Sequence, residues 1–366
     1  MNVMDLTQKG ALMMNNGTIP RQITIMNWLI GLCILALLFV SHSIINPSYG
    51  QTALRSAETC QLSAWLKRGW PDTDFTRCTV DLAEIQSGGP GKDGIPAIDA
   101  PNFIAVSQVD IAAREPVISL EIDGIARAYP LSILIWHEIV NDMINDKPIA
   151  VTYCPLCNTS IIFDRRHHDQ VLDFGTTGNL RHSDLVMYDR QTESWWQQYN
   201  GDAIAGAFAG DSLTILPSRL ESFAEFSARY PDGEVLTTPE PILRSYGITP
   251  YVSYDSSSFP FLFDGETPEG ISPLERVVTF GDSAVALPFL QQKGSWRNGD
   301  YRLQWTAGQA SALDSSIIAQ GRDVGTVHVQ RQEDRGKLVD VPYKVTFAFV
   351  WHAFNPDKPI LGITAN

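Results

Sequence analysis

Positive charge is scarce in this chain and nowhere concentrated: 27 Lys and Arg stand against 41 Asp and Glu, a net charge of −14. Phosphate contacts need clustered cations, so a nucleic-acid partner is excluded as a reading. The acidic surface reports solubility more than recognition. A second Cys-x-x-Cys is also missing. Only seven histidines and five cysteines are present, so the four-thiolate zinc ribbon is excluded and any closed metal site must recruit other ligands. Helical periodicity is rare as well. What remains, across 366 residues of ordinary globular composition, is enough chain for one large domain or two smaller ones.

The first fifty residues differ from the rest. Lys9 and Arg21 precede an apolar run from Trp28 to Val40, and Ser48-Tyr49-Gly50 offers a cleavage site before Gln51. This is the pattern of a secretory signal peptide. The uncharged stretch Ile23 to Ile45 could equally serve as an N-terminal membrane anchor. Either reading predicts an extracytoplasmic location, secreted, periplasmic or held to the membrane, for everything after Gly50.

In an oxidising compartment the cysteines acquire meaning. Cys33 belongs to the export segment, which leaves Cys60 with Cys78 and Cys154 with Cys157. The first pair predicts a structural disulfide in an N-terminal segment, residues 51–95. A Gly/Pro-rich hinge at 87–96 closes that segment. The main domain, residues 96–366, reads as α+β, strand-dominated with few helices. Strands are expected at Pro116–Ile122, Ile149–Tyr153, Ser160–Asp164, Val171–Phe174 and Leu185–Tyr188, where β-branched and aromatic residues alternate between turn signals. Helices are expected at Leu131–Asn141 and at Ser222–Arg229, the latter with Ser222 as N-cap. Two stretches read as degenerate copies. Val117-Ile-Ser-Leu with Ala126-Arg-Ala-Tyr-Pro130 resembles Val277-Val-Thr-Phe with Ser283-Ala-Val-Ala-Leu-Pro288. Phe226-Ser-Ala-Arg-Tyr-Pro231-Asp232 resembles Trp351-His-Ala-Phe-Asn-Pro356-Asp357. Two β-rich repeats, 96–245 and 246–366, packed as one unit would follow, with the cysteine pair in the first alone.

Cys154-Pro-Leu-Cys157 lies between two strand patterns, so it reads as a tight turn. Redox pairs of the thioredoxin type open a helix whose dipole stabilises the attacking thiolate, and Thr159 to Phe163 is poor helix material. A knuckle that presents two thiolates to one metal ion fits better, with Asn158 supplying the left-handed residue that usually follows. Histidine is the natural complement. His137 comes just before the strand that leads into Cys154, and His182 follows the pair. His352, in an aromatic segment, is a core residue by default, and His167 and His168 sit in a polar turn. The expected centre is Cys154, Cys157 and His137, with His182 in reserve and Glu138 or Asp142 orienting the imidazole. Zinc is the default ion, or copper(I) if the thioether of Met187 approaches. In this reading the Leu131–Asn141 helix crosses the end of the Ile149–Tyr153 strand and aims His137 at the sulfurs. His137-Glu138 also opens like the zinc-protease motif His-Glu-x-x-His, but position 141 is Asn, and a hydrolase of that kind is excluded. Two other readings stay open: a thiol–disulfide oxidoreductase using Cys154 and Cys157, and a structural or partner-binding module stapled by a disulfide. The glycines of Gly175-Thr-Thr-Gly-Asn179 read as an ordinary turn between strands, and Trp195-Trp196 as core aromatics.

Several segments stand in a familiar order: Gly88-Gly-Pro-Gly-Lys-Asp-Gly-Ile-Pro96, Arg127-Ala-Tyr-Pro-Leu131, Trp136-His-Glu-Ile-Val-Asn-Asp142, Thr152-Tyr-Cys-Pro-Leu-Cys157 and Ser183-Asp-Leu-Val-Met-Tyr-Asp-Arg-Gln-Thr-Glu-Ser194. Together they resemble the prokaryotic exported family catalogued as domain of unknown function 3179, from about Asp81 to the C-terminus. The resemblance implies one shared domain and puts His137, Cys154 and Cys157 in signature motifs. It implies no reaction, and the identity of any protein or small-molecule partner stays unknown. In the family pattern Gly is frequent at position 158, Asn at 182 and an apolar residue at 352, so the chain departs at Asn158, His182 and His352.

Overall fold

Two-residue turns with left-handed backbone cut this chain into short antiparallel strands. Asp123 and Gly124 (φ 51° and 83°) join Pro116–Ile122 to Ile125–Pro130, and His182 and Ser183 (φ 55° and 65°) join Phe174–Arg181 to Asp184–Asp189. Turns with positive φ match the twist of the strands they connect. The computed structural model describes residues 52–363, which fall in one compact unit. The expected signal peptide or anchor at 1–50 lies outside the described residues, and among those described no helix is long and apolar enough to cross a membrane. Strands dominate, grouped in small sheets around a propeller-like ring. That is the α+β, strand-dominated class read from the sequence.

The order of elements occurs twice. Strands Pro116–Ile122 and Ile125–Pro130, helix Leu131–His137, then strands Ile139–Ile144 and Lys147–Cys154 are matched by Arg276–Phe280, Ser283–Ala286, Leu287–Lys293, Ser295–Asn298 and Tyr301–Thr306. The pairing matches as well. In the first copy Arg219–Ser222 flanks the leading hairpin on one side, and Glu234–Leu236 joins it in parallel on the other. In the second copy Tyr343–Phe347 and Ile360–Leu361 hold the same two places, the latter again parallel. A second sheet accompanies each: Ile139–Ile144, Lys147–Cys154, Thr159–Asp164 and Ile215–Leu216 in the first copy, and Ser295–Asn298, Tyr301–Thr306, Thr326–Gln332 and Leu338–Asp340 in the other. A helix follows each outer strand, Phe223–Arg229 and Ala348–Phe354. Ser222 caps the first of these by accepting from the Glu225 N–H, as its sequence position predicts.

The first copy alone carries an insertion between Thr159–Asp164 and Ile215–Leu216. It supplies strands Phe174–Arg181, Asp184–Asp189, Trp195–Gln197 and Ala203–Ala205, and Ile85–Ser87 from the N-terminal segment pairs onto its edge. The N-terminal segment therefore packs on this sheet: Cys60, Trp70 and Cys78 share a core with Tyr188 and Trp195. The Cys60–Cys78 disulfide is formed.

Three local expectations need correction. The helix expected over Leu131–Asn141 ends at His137, because Glu138 takes φ 57° and the chain turns into the strand Ile139–Ile144. Val171 and Phe174 fall on different strands, Gln170–Val171 and Phe174–Arg181. The Gly/Pro stretch at 87–96 is no free hinge: Gly88 N–H donates to the Gly178 carbonyl and Asp93 N–H to that of Thr176. A Cβ on Gly178 would lie 1.9 Å from the Pro90 carbonyl oxygen, so that position admits only glycine.

Candidate metal centre

The strand Lys147–Cys154 delivers Cys154 to a tight turn, and the partner strand leaves at Thr159, directly opposite Cys154. Cys157 N–H returns to the Cys154 carbonyl at 3.3 Å, and Asn158 (φ 51°) takes the left-handed step expected of it. The turn is braced from the second copy. Asn158 Nδ2 donates to the Val345 carbonyl at 3.1 Å, while the Phe347 N–H and the Thr346 hydroxyl both donate to the Cys157 carbonyl, at 3.2 and 3.0 Å. Both cysteines are free thiols, 2 % and 0 % exposed.

The third member comes from the insertion. Asp184 opens the strand after the His182–Ser183 turn, and one of its carboxylate oxygens lies with the two sulfurs so that all three atoms fall within 4.8 Å of one another. Its Oδ1 accepts from Gln197 Nε2 at 2.6 Å and from Tyr199 N–H at 2.9 Å. Oδ2 is buried without an N–H or O–H partner, and the Cys157 thiol stands beside the carboxyl. The sulfurs also face the Ser183 carbonyl, at 3.7 Å from Cys154 and 3.3 Å from Cys157. Burial pushes the Asp184 carboxyl up to about 6, against the pull of Gln197 and Tyr199. Glu138 lies just outside this trio, and its charge acts on Cys154. Burial, then the Asp184 charge, pushes Glu138 up to about 8. Both thiols are raised by burial first, Cys157 further than Cys154. Lys344 is the nearby cation: burial lowers it to about 8 against the pull of Asp184 and Asp202, and its Nζ sits 4.2 Å above the Tyr199 ring.

Four acidic groups thus share one desolvated spot, and burial shifts each toward its protonated form. A divalent ion would reverse that balance, because metal binding replaces the protons on its ligands. Two thiolates and a carboxylate are a donor set that zinc accepts, and copper(I) favours the sulfurs. Met187 is buried in the large core cluster that also contains both cysteines.

The expected convergence of His137 on the sulfurs is not found. Its Nδ1 bonds to the Pro96 carbonyl at 2.7 Å and its Nε2 to the Tyr246 hydroxyl at 2.8 Å, on the wall of a different cleft. The physical reason is the left-handed step at Glu138, which sets consecutive side chains apart and sends Glu138, not His137, toward the cysteines. Glu138 therefore orients no imidazole. Asp142 does not either: it is paired with Arg127 and accepts from the Tyr129 hydroxyl. His182 is a turn residue whose ring lies 3.5 Å from Glu84 and edge-on to Phe354. His352 follows Trp351 in the last helix, and among the described residues it joins no metal-ligating group.

Among the described residues the second copy has no such centre. Tyr153 N–H donates to the Glu138 carbonyl at 2.8 Å, and Trp305 N–H donates to that of Gly294 at 2.7 Å, which aligns the copies residue by residue. Thr306 then stands where the first copy has Cys154, and Gly294 where it has Glu138. The sequence signal for Asp184 was its place in the Ser183–Ser194 motif, which carried no assigned role because nothing local links it to a cysteine turn.

The fold and its centre define a class: a duplicated β scaffold in which one copy alone holds a buried dithiol–carboxylate cluster. The chain belongs to the family described as "Protein of unknown function (DUF3179)", whose model matches residues 92–358. No curated protein and no solved structure matches the chain.

Proposed function

We propose that the chain is an exported protein that holds one transition-metal ion on Cys154, Cys157 and Asp184, with zinc the first choice and copper(I) the second. The observation that carries this is the buried trio of ligand atoms within 4.8 Å, one of them an Asp184 oxygen in a carboxyl whose Oδ2 has no N–H or O–H partner. Two thiolates and a carboxylate on a divalent ion leave one excess negative charge, and the Lys344 ammonium is placed to balance it. Glu138, just outside the trio, would be the residue to complete the ligand set. Export is part of the same reading, supported by the apolar run at Trp28 to Val40 and by the Cys60–Cys78 disulfide. A bound ion also accounts for a dithiol that stays reduced in a chain whose other pair is oxidised.

The thiol–disulfide reading is disfavoured by the same geometry. An attacking thiol needs a depressed pKa and access to its substrate, whereas both sulfurs are buried and raised. Elemental analysis of tag-free protein tests the proposal. The parent should carry a transition metal bound by the cysteine centre, Cys154→Ser and Asp184→Asn should lose it, and His137→Ala should keep it. A parent without metal, or an Asp184→Asn variant loaded like the parent, would overturn the proposal.

A further inference from the structure

A second group of ligands, none of them a cysteine, lies in the insertion. We propose that His167, His168 and Asp211 form a separate, solvent-accessible site for a divalent transition-metal ion of the zinc, nickel or copper(II) type. His167 ends the short strand Arg166–His167, and successive side chains on an extended strand point to opposite faces. His168 leaves that regime with φ 49°, an uncommon conformation for a residue with a side chain. The result is that both imidazoles reach one point: each Nε2 lies 3.0 Å from the same Asp211 oxygen, Oδ2. All three ligand atoms fall within 4.8 Å of one another.

Two nitrogens and an oxygen at this spacing suit a small ion. With metal–ligand bonds of about 2.0–2.1 Å, a tetrahedral shell puts neighbouring ligand atoms about 3.3 Å apart. The observed contacts are within a few tenths of that, so an ion can enter by tautomer exchange at the rings and a slight spreading of the group. Asp211 is held for the purpose by backbone bonds, its N–H to the Phe208 carbonyl and its carbonyl to the Ala203 N–H. The His167 ring is wedged edge-on between Trp196 and Phe208, at 5.3 and 4.7 Å between centroids, which fixes its direction. Exposure then decides the character of the site. The His167 side chain is fully buried but that of His168 is 50 % exposed, so solvent reaches the group from the His168 side, the arrangement of an exchangeable ion. Neutral imidazole and carboxylate set it apart from the sulfur-rich centre, and neither site depends on the other.

Cobalt(II) added to tag-free, metal-stripped protein distinguishes the two sites. Thiolate-bound cobalt gives a strong near-ultraviolet charge-transfer band, and a nitrogen–oxygen site binds without it. The parent should take up one equivalent of cobalt that adds no thiolate band. His168→Ala and Asp211→Asn should each lose that equivalent, and a Cys154→Ser/Cys157→Ser double variant should retain it. Because His168 is half exposed, its alanine variant should keep the thermal midpoint of the metal-free parent, which separates lost ligation from lost folding. Cobalt uptake unchanged in both His168→Ala and Asp211→Asn would overturn the proposal. Failure of the cysteine centre would show separately, as an absent thiolate band.

Discussion

Glu138 is a buried carboxyl beside the cysteine–aspartate trio. Its carboxyl is raised from 4.5 to about 8, and Asp184 from 3.8 to about 6, burial leading in both. A carboxyl raised on folding is protonated in the native state at pH values where the unfolded chain has already lost the proton. Its stability contribution is therefore complete below the unfolded value and declines as pH climbs to the folded one. Metal-free protein should accordingly lose stability between about pH 4.5 and 8, by on the order of 5 kcal/mol from Glu138 at most. Lys344, lowered to about 8, adds no slope below that point. Urea midpoints measured across this range in chelator should fall with pH, and Glu138→Gln should flatten the fall above pH 6, where Asp184 is already ionised. A parent with a flat profile would contradict this. At the same scale, the sequence made the two cysteines and the left-handed Asn158 legible, because a turn is written in four or five adjacent residues. Asp184 was not legible, since strand pairing across the insertion brings it to the sulfurs. His137 was singled out for its place just before the strand into Cys154, and its role went astray because one backbone angle, at Glu138, decides which of two adjacent side chains faces the centre.

The helix that ends at that angle has a counterpart that isolates its cost. Gly294 terminates Leu287–Lys293 with φ 65°, as Glu138 terminates Leu131–His137 with φ 57°. Left-handed geometry costs a residue with a Cβ roughly 1–2 kcal/mol, and glycine almost nothing. The first copy thus holds a carboxyl at the strained position, and the second holds the relaxed residue there. Nothing lies within 4 Å of a Cβ placed on Gly294, so Gly294→Ala should lower stability by about 1 kcal/mol through the backbone alone. Urea denaturation reads this directly, and an unchanged midpoint would show that the turn can relax. Strands and the Ser222-capped helix were legible from alternation and capping. The early end of Leu131–His137 was not, because Ile139 and Val140 fit a helical period as well as the buried strand they occupy.

Across the whole molecule, the repeated elements form the scaffold that carries the cysteine turn, and the insertion brings Asp184 to it. The motif pairs that hinted at a repeat in the sequence correspond to matched hairpins and helices, while the sheet that carries Asp184 has no counterpart in the second copy. The N-terminal segment packs on that sheet through the core around Cys60, Cys78 and Trp195, and Thr79 N–H reaches the Ile204 carbonyl. The disulfide thus lies against the insertion's sheet, whereas the cysteine turn is braced from the second copy by Val345, Thr346 and Phe347. Closing a loop over a sequence separation of 18 constrains the unfolded chain by about 3 kcal/mol. A Cys60→Ser/Cys78→Ser variant should lose that much stability and become susceptible to proteolysis first in the N-terminal segment. Its metal should stay, because both sulfurs and their braces lie outside the stapled loop. Loss of the ion together with the disulfide, in protein still folded by circular dichroism, would mean that the insertion is placed by the staple and that Asp184 depends on it.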